Sequence, residues 1–356
     1  MTGLPRLDQP FVIGSVETQW GQVPQVSSFW TKADYLGTFK ARWGIGRMHY
    51  TVDPGLYALG QPDEESPVLV TANYKMSFDR LRKAMPGRNA WILVLDTKGI
   101  NVWCAAGKGT FGAEELVARI GSSGLERIVS HREVILPQLS APGVAAHQVR
   151  KLSGFKAVFG PIRAEDLPAF MVRGMKATAE MRVKTFTARE RVVLIPVELV
   201  EALKAALVVI PILLILSGLL GPAGFWPNVV NEGLFAAQAL LTAILAGAVL
   251  TPLLLPWLPG RAFSLKSLGP ALFCTLLLLY LRSGDGVKTV SLLQMISWGF
   301  IILSASAYLG MNFTGASTYT SLSGVKKEMR WSLPFQIGGG VVGLVFWVFS
   351  LLTGPQ

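Results

Sequence analysis

Beyond Lys204 the chain carries five apolar stretches, near 204–220, 233–257, 268–281, 290–310 and 334–353, that hold few or no charges. Lipid offers nothing to bond with backbone N–H and C=O groups, so such a stretch must satisfy them internally as a helix. About 20 residues suffice to cross the hydrocarbon, and most of the five approach that length. The third is short, closely bracketed by Lys266 and Arg282. Residues 204–356 therefore read as an all-α transmembrane domain of about five helices. Only 15% of all residues are charged and 51% are hydrophobic, against about 25% charged in a soluble globular chain.

The formal charge of +11 fits membrane topology better than nucleic-acid binding. Cytoplasmic loops collect Lys and Arg. Counted from a cytoplasmic amino-terminal domain, the inside loops carry Arg261 and Lys266, then Lys326, Lys327 and Arg330. The outside loops carry no Lys or Arg in 221–232, and then Arg282 with Lys288 around Asp285. This balance predicts a multi-pass protein of the cytoplasmic (inner) membrane, with its soluble domain inside and its carboxyl terminus outside. A basic linker and membrane entry over 176–203, holding Lys176, Arg182, Lys184, Arg189 and Arg191, lies where it can meet anionic lipid headgroups. Glu198, Glu201 and Lys204 read as interfacial. Met1 to Trp20 lacks the continuous apolar core of a secretory signal. The two cysteines, Cys104 and Cys274, cannot make a disulfide framework, which agrees with a reduced cytoplasmic setting.

Residues 1–66 are rich in Gly, Pro and aromatics with little periodicity, and read as an irregular approach to the domain. Gly44 and Gly46 make no dinucleotide fingerprint, since no third glycine follows at the required spacing. From Pro67 the pattern becomes α/β. Strands are predicted at 67–72, 90–96, 126–130, 134–139 and 155–159. Helices are predicted at 77–85 with Ser77 as cap, 113–120, 141–151 entered through Pro142, and 164–173. Strands alternating with helices argue for a mostly parallel sheet, here a compact domain over 67–175.

Between the strand at 90–96 and the helix at 113–120 lies Gly99-Ile100-Asn101-Val102-Trp103-Cys104-Ala105-Ala106-Gly107-Lys108-Gly109. Cys104 is thereby placed at the carboxyl end of a strand, where open α/β sheets bind ligands. The small residues Ala105, Ala106 and Gly107 beside it would let a large flat ligand come close to the backbone. By residue type alone, a buried structural cysteine is an equal reading. No His, Cys and carboxylate cluster has metal-site spacing. Gly107-Lys108-Gly109-Thr110 lacks the upstream glycine of a phosphate loop.

The string Asn101-Val102-Trp103-Cys104-Ala105-Ala106-Gly107-Lys108 resembles, without departure, the signature of the corrinoid proteins of microbial mercury methylation, the HgcA family. The resemblance extends over Tyr74–Arg82, Gly154–Phe170 and the membrane half. The polar, hydroxyl-rich stretch 312–329, expected on the cytoplasmic side, also resembles a segment in the large subunit of the corrinoid iron–sulfur protein of the acetyl-CoA pathway. It is either a docking segment or an ordinary interhelical loop.

The resemblance implies a Rossmann-like corrinoid-binding domain in which Cys104, on a short cap helix, is the lower axial ligand of the cobalt of a cobalamin-type corrinoid. The whole motif, Asn101, Val102, Trp103, Cys104, Ala105, Ala106, Gly107 and Lys108, would contact the cofactor. Asn101 and Lys108 either bond corrinoid amides or fix the cap helix, and Trp103 packs either on the macrocycle or in the core. Thr71 with Asn73, Pro142 with Gly143, and Gly160 with Pro161 lie in loops expected at the same end of the sheet, and are candidates for holding the corrinoid tail.

A thiolate is a strong, soft donor that would push electron density toward a methyl carbon on the opposite face of cobalt, favouring its release to a soft electrophile such as Hg(II). The resemblance further implies a methyltetrahydrofolate-linked methyl donor. It also implies a ferredoxin-like iron–sulfur partner (HgcB) for reduction and mercury delivery, since two distant cysteines cannot ligate a cluster that needs four. His49, His131 and His147 are preceded two positions earlier by Arg47, Val129 and Ala145, so none fits the Asp-x-His-x-x-Gly segment of corrinoid proteins that use a histidine. Two rival readings remain at this level. One is a corrinoid methyl carrier of acetyl-CoA and one-carbon metabolism, weakened because those large subunits carry a four-cysteine segment absent here. The other is a membrane transport or scaffold protein with a regulatory α/β domain, disfavoured because ionisable residues, the usual marks of transport pathways, are scarce after Lys204.

Overall fold

The computed structural model describes residues 3–284, 291–317 and 322–353. Asp285, Lys288, Thr318–Ser321 of the hydroxyl-rich stretch, and the carboxyl terminus lie outside the described residues. Two compact units emerge, 1–41 with 45–185 and 42–44 with 186–356.

The first unit is α/β, built on one seven-stranded mixed sheet. Its strands are β1 (Val12–Thr18), β2 (Gly21–Val26), β3 (Gly55–Leu59), β4 (Val68–Ala72), β5 (Ala90–Leu95), β6 (Glu133–Leu136) and β7 (Lys156–Phe159), in the spatial order β1-β2-β3-β5-β4-β6-β7. Strands β5, β4, β6 and β7 run parallel. The helices are α1 (Lys32–Arg42), α2 (Lys75–Lys83), α3 (Val102–Lys108), α4 (Ala113–Ser122), α5 (Leu125–Ile128), α6 (Ala146–Ser153) and α7 (Leu167–Val172).

Strand parity assigns the two faces of the sheet. Val68, Val70 and Ala72 of β4 join Leu93 and Leu95 of β5 in a core with Ala105, Leu116, Ile120 and Val149, from α3, α4 and α6. Leu69, Ile92 and Ile135 point the other way, into a core with Phe78, Leu81, Leu167 and Phe170, from α2 and α7. Strands β4 and β5 are buried at every position, which is why they read as continuous apolar runs rather than as alternations.

Several sequence expectations need correction. Residues 1–66 are not irregular: β1 and β2 form an antiparallel hairpin that turns at Gln19 and Trp20, and β3 is a wholly buried strand antiparallel to β5. The sheet is therefore mixed, and larger than the five strands expected. Its amino-terminal strands went unseen because Gly14, Gly21 and Pro24 interrupt their apolar alternation. The strand expected at 126–130 is instead a helical turn. Leu125 and Ile128, three apart, are buried while Glu126 and Arg127 between them are exposed, a spacing that suits a helix. Helix α2 starts at Lys75 after Tyr74 rather than at a Ser77 cap. Helix α6 starts at Ala146 rather than after Pro142, because Ser140 and Gly143 are held in a preceding turn.

The second unit is helical. Five of its helices, Ala188–Leu220, Phe225–Leu254, Phe263–Ser283, Leu292–Gly315 and Ser323–Thr353, are long and apolar enough to cross a membrane. The short third stretch is thus a complete 21-residue helix. Leu213, Phe235, Trp298, Ile302, Trp347 and Leu351 form its largest internal apolar cluster.

Candidate functional site

The loops that follow β4 and β6, neighbours in the sheet, leave for opposite faces: β4 leads into α2 and β6 toward α6. Such divergence opens a crevice outside the carboxyl ends of the strands. Helix α3, entered from β5, lies at this end of the sheet, touching β4 and the turn Gln138–Ser140 that follows β6. Cys104 is carried on α3.

Local chemistry fixes this short helix. Asn101 is its N-cap, and Asn101 Oδ1 accepts the Cys104 backbone N–H at 3.0 Å, satisfying one of the donors a helix start leaves open. Gly109, at φ 83°, ends the helix in the left-handed region that glycine enters without penalty. Ala105 and Ala106 are buried in the core, and Val102 packs against the same core. At 3.6 residues per turn, Cys104 and Gly107 then share the outward face. Cys104 is half-buried and Gly107 exposed, so a thiol stands next to a stretch of bare backbone.

Beneath α3, the turn after β5 is held by Asn73. Asn73 Oδ1 accepts the backbone N–H groups of Thr97 at 3.1 Å and Gly99 at 3.0 Å, and lies 2.8 Å from the Thr97 hydroxyl. Its amide nitrogen donates to Asp96 Oδ1 at 3.3 Å. These bonds hold Lys98 and Gly99 at φ 58° and 71°, an unfavourable region for the lysine. Burial alone would raise the Asp96 carboxyl, but the hydrogen bonds and charge of Lys98 prevail and hold it below its ordinary value. The Asp96 backbone N–H donates to Glu115 at 2.8 Å, and Glu115 is paired with Arg119 at 2.8 Å, which ties the turn to α4.

Gly143 supports the far end of α3. A Cβ there would lie 2.3 Å from the Phe111 carbonyl oxygen and 3.0 Å from both Cα and O of Ala106.

Each pair named from the sequence sits toward the carboxyl end of its strand: Thr71 near the end of β4 with Asn73 just past it, Pro142 with Gly143 after β6, Gly160 with Pro161 after β7. Thr71, Asn73, Gly160 and Pro161 are buried, and Pro142 is exposed. Asn73 holds the turn that feeds α3, Gly143 abuts α3 itself, and Asn101 caps it. Trp103 is half-buried, and Lys108 is exposed in the last turn. Sequence reasoning missed Thr97 and Glu115. The consecutive Lys98-Gly99 marked a turn, but nothing in the sequence says which side chains brace it.

A cavity of about 460 Å³ lies at the opposite end of the strands, lined by Pro67, Val68, Arg88, His131, Glu133 and Met175 among others. It is not part of this site. Among the described residues, no group of three or more His, Cys, Asp or Glu side chains could hold a metal ion.

Residues 45–171 match the family described as CO dehydrogenase/acetyl-CoA synthase delta subunit. That stretch contains α3 and every strand end just described. The chain is similar to the acetyl-CoA decarbonylase/synthase complex subunit gamma of Methanocaldococcus jannaschii, 38% identical over 145 residues, covering 40% of this chain and 29% of that protein. The Methanopyrus kandleri protein of the same description is 32% identical over 122 residues, covering 34% and 26%. A subunit gamma 2 from Methanosarcina thermophila is 32% identical over 128 residues, covering 35% and 27%. The chain thus spans little more than a quarter of the length of these curated relatives, and the similarity is confined to about a third of its own.

Proposed function

We propose that the α/β unit is a corrinoid-binding methyl-transfer domain in which Cys104 is the lower axial ligand of cobalt, and that the methyl acceptor is Hg(II). The observation that carries this reading is the placing of Cys104. It stands on the outward face of a capped helix, at the carboxyl ends of the parallel strands of the sheet, over the point where the loops diverge. The residues fit the cofactor: a sulfur donor suits a transition metal, and Gly107 beside it leaves room for a broad flat ring. When bound, the corrinoid supplies a cobalt-borne methyl group.

The chain's own residues hold that donor still. Asn101 fixes the first turn of α3, Ala105 and Ala106 seat its inner face in the core, Asn73 clamps the turn that feeds it, and Gly143 permits close packing at its far end. A ligand must be held within a fraction of an ångström of its working geometry by such supporting contacts. Trp103, Lys108 and Pro142 are the accessible motif and loop residues left to meet the cofactor's periphery. Hg(II) as acceptor rests on the eight-residue motif and on the soft character of the thiolate donor.

Similarity to subunits of the acetyl-CoA decarbonylase/synthase complex favours a second reading, a methyl carrier of acetyl-CoA and one-carbon metabolism using the same thiol. Either reading calls for a methyltetrahydrofolate-linked donor and an external iron–sulfur reductant. Five membrane-length helices support a multi-pass membrane protein, which we orient with the α/β unit in the cytoplasm.

The test is the visible spectrum of the full-length, cobalamin-loaded protein beside its Cys104→Ala variant, followed by exposure of the methylated protein to Hg(II). A spectrum that shifts with Cys104→Ala, together with methylmercury formed only by the parent, is expected. A Cys104-dependent spectrum without methylmercury leaves the carrier reading standing. Retained methylmercury formation by the alanine variant would refute the thiolate-ligand mechanism.

A further inference from the structure

Helix α1 is built inside out. Asp34, Gly37, Thr38 and Ala41 occupy one face, and Asp34 and Ala41 are buried. That face is polar and small: Asp34 pairs with Lys75 at 2.8 Å and Arg82 at 2.9 Å, and a Cβ on Gly37 would lie 2.6 Å from the Tyr50 hydroxyl. Large apolar side chains sit on the opposite face. Tyr35, Leu36 and Phe39 are 54%, 53% and 56% exposed, and Phe29 just ahead of the helix is 77% exposed. A surface helix of a soluble domain turns its apolar stripe inward, so this one reverses the rule. A cluster of exposed large apolar groups marks a surface that meets something other than water.

Charge and residue type identify what covers it. Lys32 and Lys40 flank the apolar face, are exposed, and have no ion-pair partner among the described residues. Trp30 stacks edge-on with Tyr35 at 5.0 Å, and the Lys83 ammonium lies 4.3 Å from the Trp30 ring centre. The Trp30 indole N–H is bound internally to the Asp79 carbonyl at 2.9 Å, whereas the Tyr35 hydroxyl is exposed and accepts from Lys83 at 3.2 Å. A tyrosine with such a wet edge settles at the headgroup level of a bilayer. Lysines beside an apolar helix face bind anionic lipid. The same chain carries five membrane-length helices.

We propose that α1 is an interfacial membrane anchor: its Leu36 and Phe39 face lies in the headgroup region of an anionic bilayer, with Lys32 and Lys40 on lipid phosphates. The α/β unit is then held to the membrane surface by this helix as well as by the polypeptide joining it to the spans. The reading is independent of the methyl-transfer assignment.

A photo-reactive benzoylphenylalanine placed at Leu36 or at Phe39 of the full-length protein, in phosphatidylcholine vesicles containing a minority of phosphatidylglycerol, tests it. The same probe at Leu152, 63% exposed on α6, is the control. Lipid adducts are expected at 36 and 39 in clear excess over 152. Adding K32Q or K40Q should lower lipid adducts by about fivefold for each lysine, the equivalent of ~1 kcal/mol per cation near an anionic surface. Equal labelling at all three positions, adducts to protein in place of lipid, or yields indifferent to both lysines would overturn the proposal.

Discussion

Replacing Asn73 by Ala tests whether the site depends on a brace that touches neither the thiol nor the outer face of α3. The change removes one acceptor oxygen serving the buried backbone N–H of Thr97 and the N–H of Gly99, and one donor to Asp96. Thr97 is completely buried, so water cannot readily take over, and a buried donor left unpaired costs about 1–3 kcal/mol. Two such donors, one of them only partly enclosed, give a destabilisation of about 3 kcal/mol. That energy falls locally on the turn at 96–99, whose left-handed Lys98 loses its restraint, and should appear as local opening. Hydrogen exchange followed by mass spectrometry on the full-length protein should show residues 96–109 exchanging about a hundredfold faster, as 1.4 kcal/mol corresponds to tenfold. Peptides from α6 should be little changed. Unaltered exchange over 96–109, or a uniform increase across the α/β unit, would refute the idea that Asn73 positions the cap helix.

Gly143→Ala should push α3 away from the turn after β6, because the new Cβ meets the Phe111 carbonyl and the Ala106 backbone; a loss of about 1–3 kcal/mol in denaturant unfolding is expected, with a weakened cobalamin spectrum. Asp34→Asn leaves Lys75 and Arg82 sharing one carboxylate in place of two and should cost about 3–5 kcal/mol, as breaking buried pairs does. Burial pushes the Asp34 carboxyl up, but Lys75, the Thr31 backbone N–H and Arg82 outweigh it and hold it well below the usual carboxylate range. Its contribution is therefore present above the unfolded carboxylate value, near 4, and is lost as pH falls toward the depressed folded value. Acid unfolding of the parent and of Asp34→Asn should converge at low pH, and a constant gap between them would contradict this. A reporter fused after Gln356 should lie outside the cytoplasm; a cytoplasmic signal would overturn the proposed orientation.

The five membrane-length helices were legible because crossing lipid would impose one demand, continuous apolar length, and length is written directly in sequence. The strands β4 and β5 were equally plain, since a doubly covered parallel strand must be apolar at every position. The hairpin β1–β2 and the interior strand β3 were not, for the apolar pattern of the hairpin is broken by glycine and proline, and β3 pairs with β2 and β5, both distant in sequence. The turn at 125–128 misled because four residues fit either period until the burial of Leu125 and Ile128 fixes one of them.

At the candidate site, the sequence by itself determined the local housing of the thiol: a cysteine three residues after a capping asparagine, followed by two alanines and a glycine. These are short-range facts, settled within one turn of helix. Only the tertiary structure decided that Asn73, nearly 30 residues upstream, clamps the turn feeding that helix, and that Gly143, on another strand's loop, abuts its far end. It also decided that α1 turns a carboxylate inward and its aromatics outward. Hydrogen bonds and close contacts between distant segments depend on how strands are ordered in the sheet, and that order is a property of the packed core rather than of any stretch of residues.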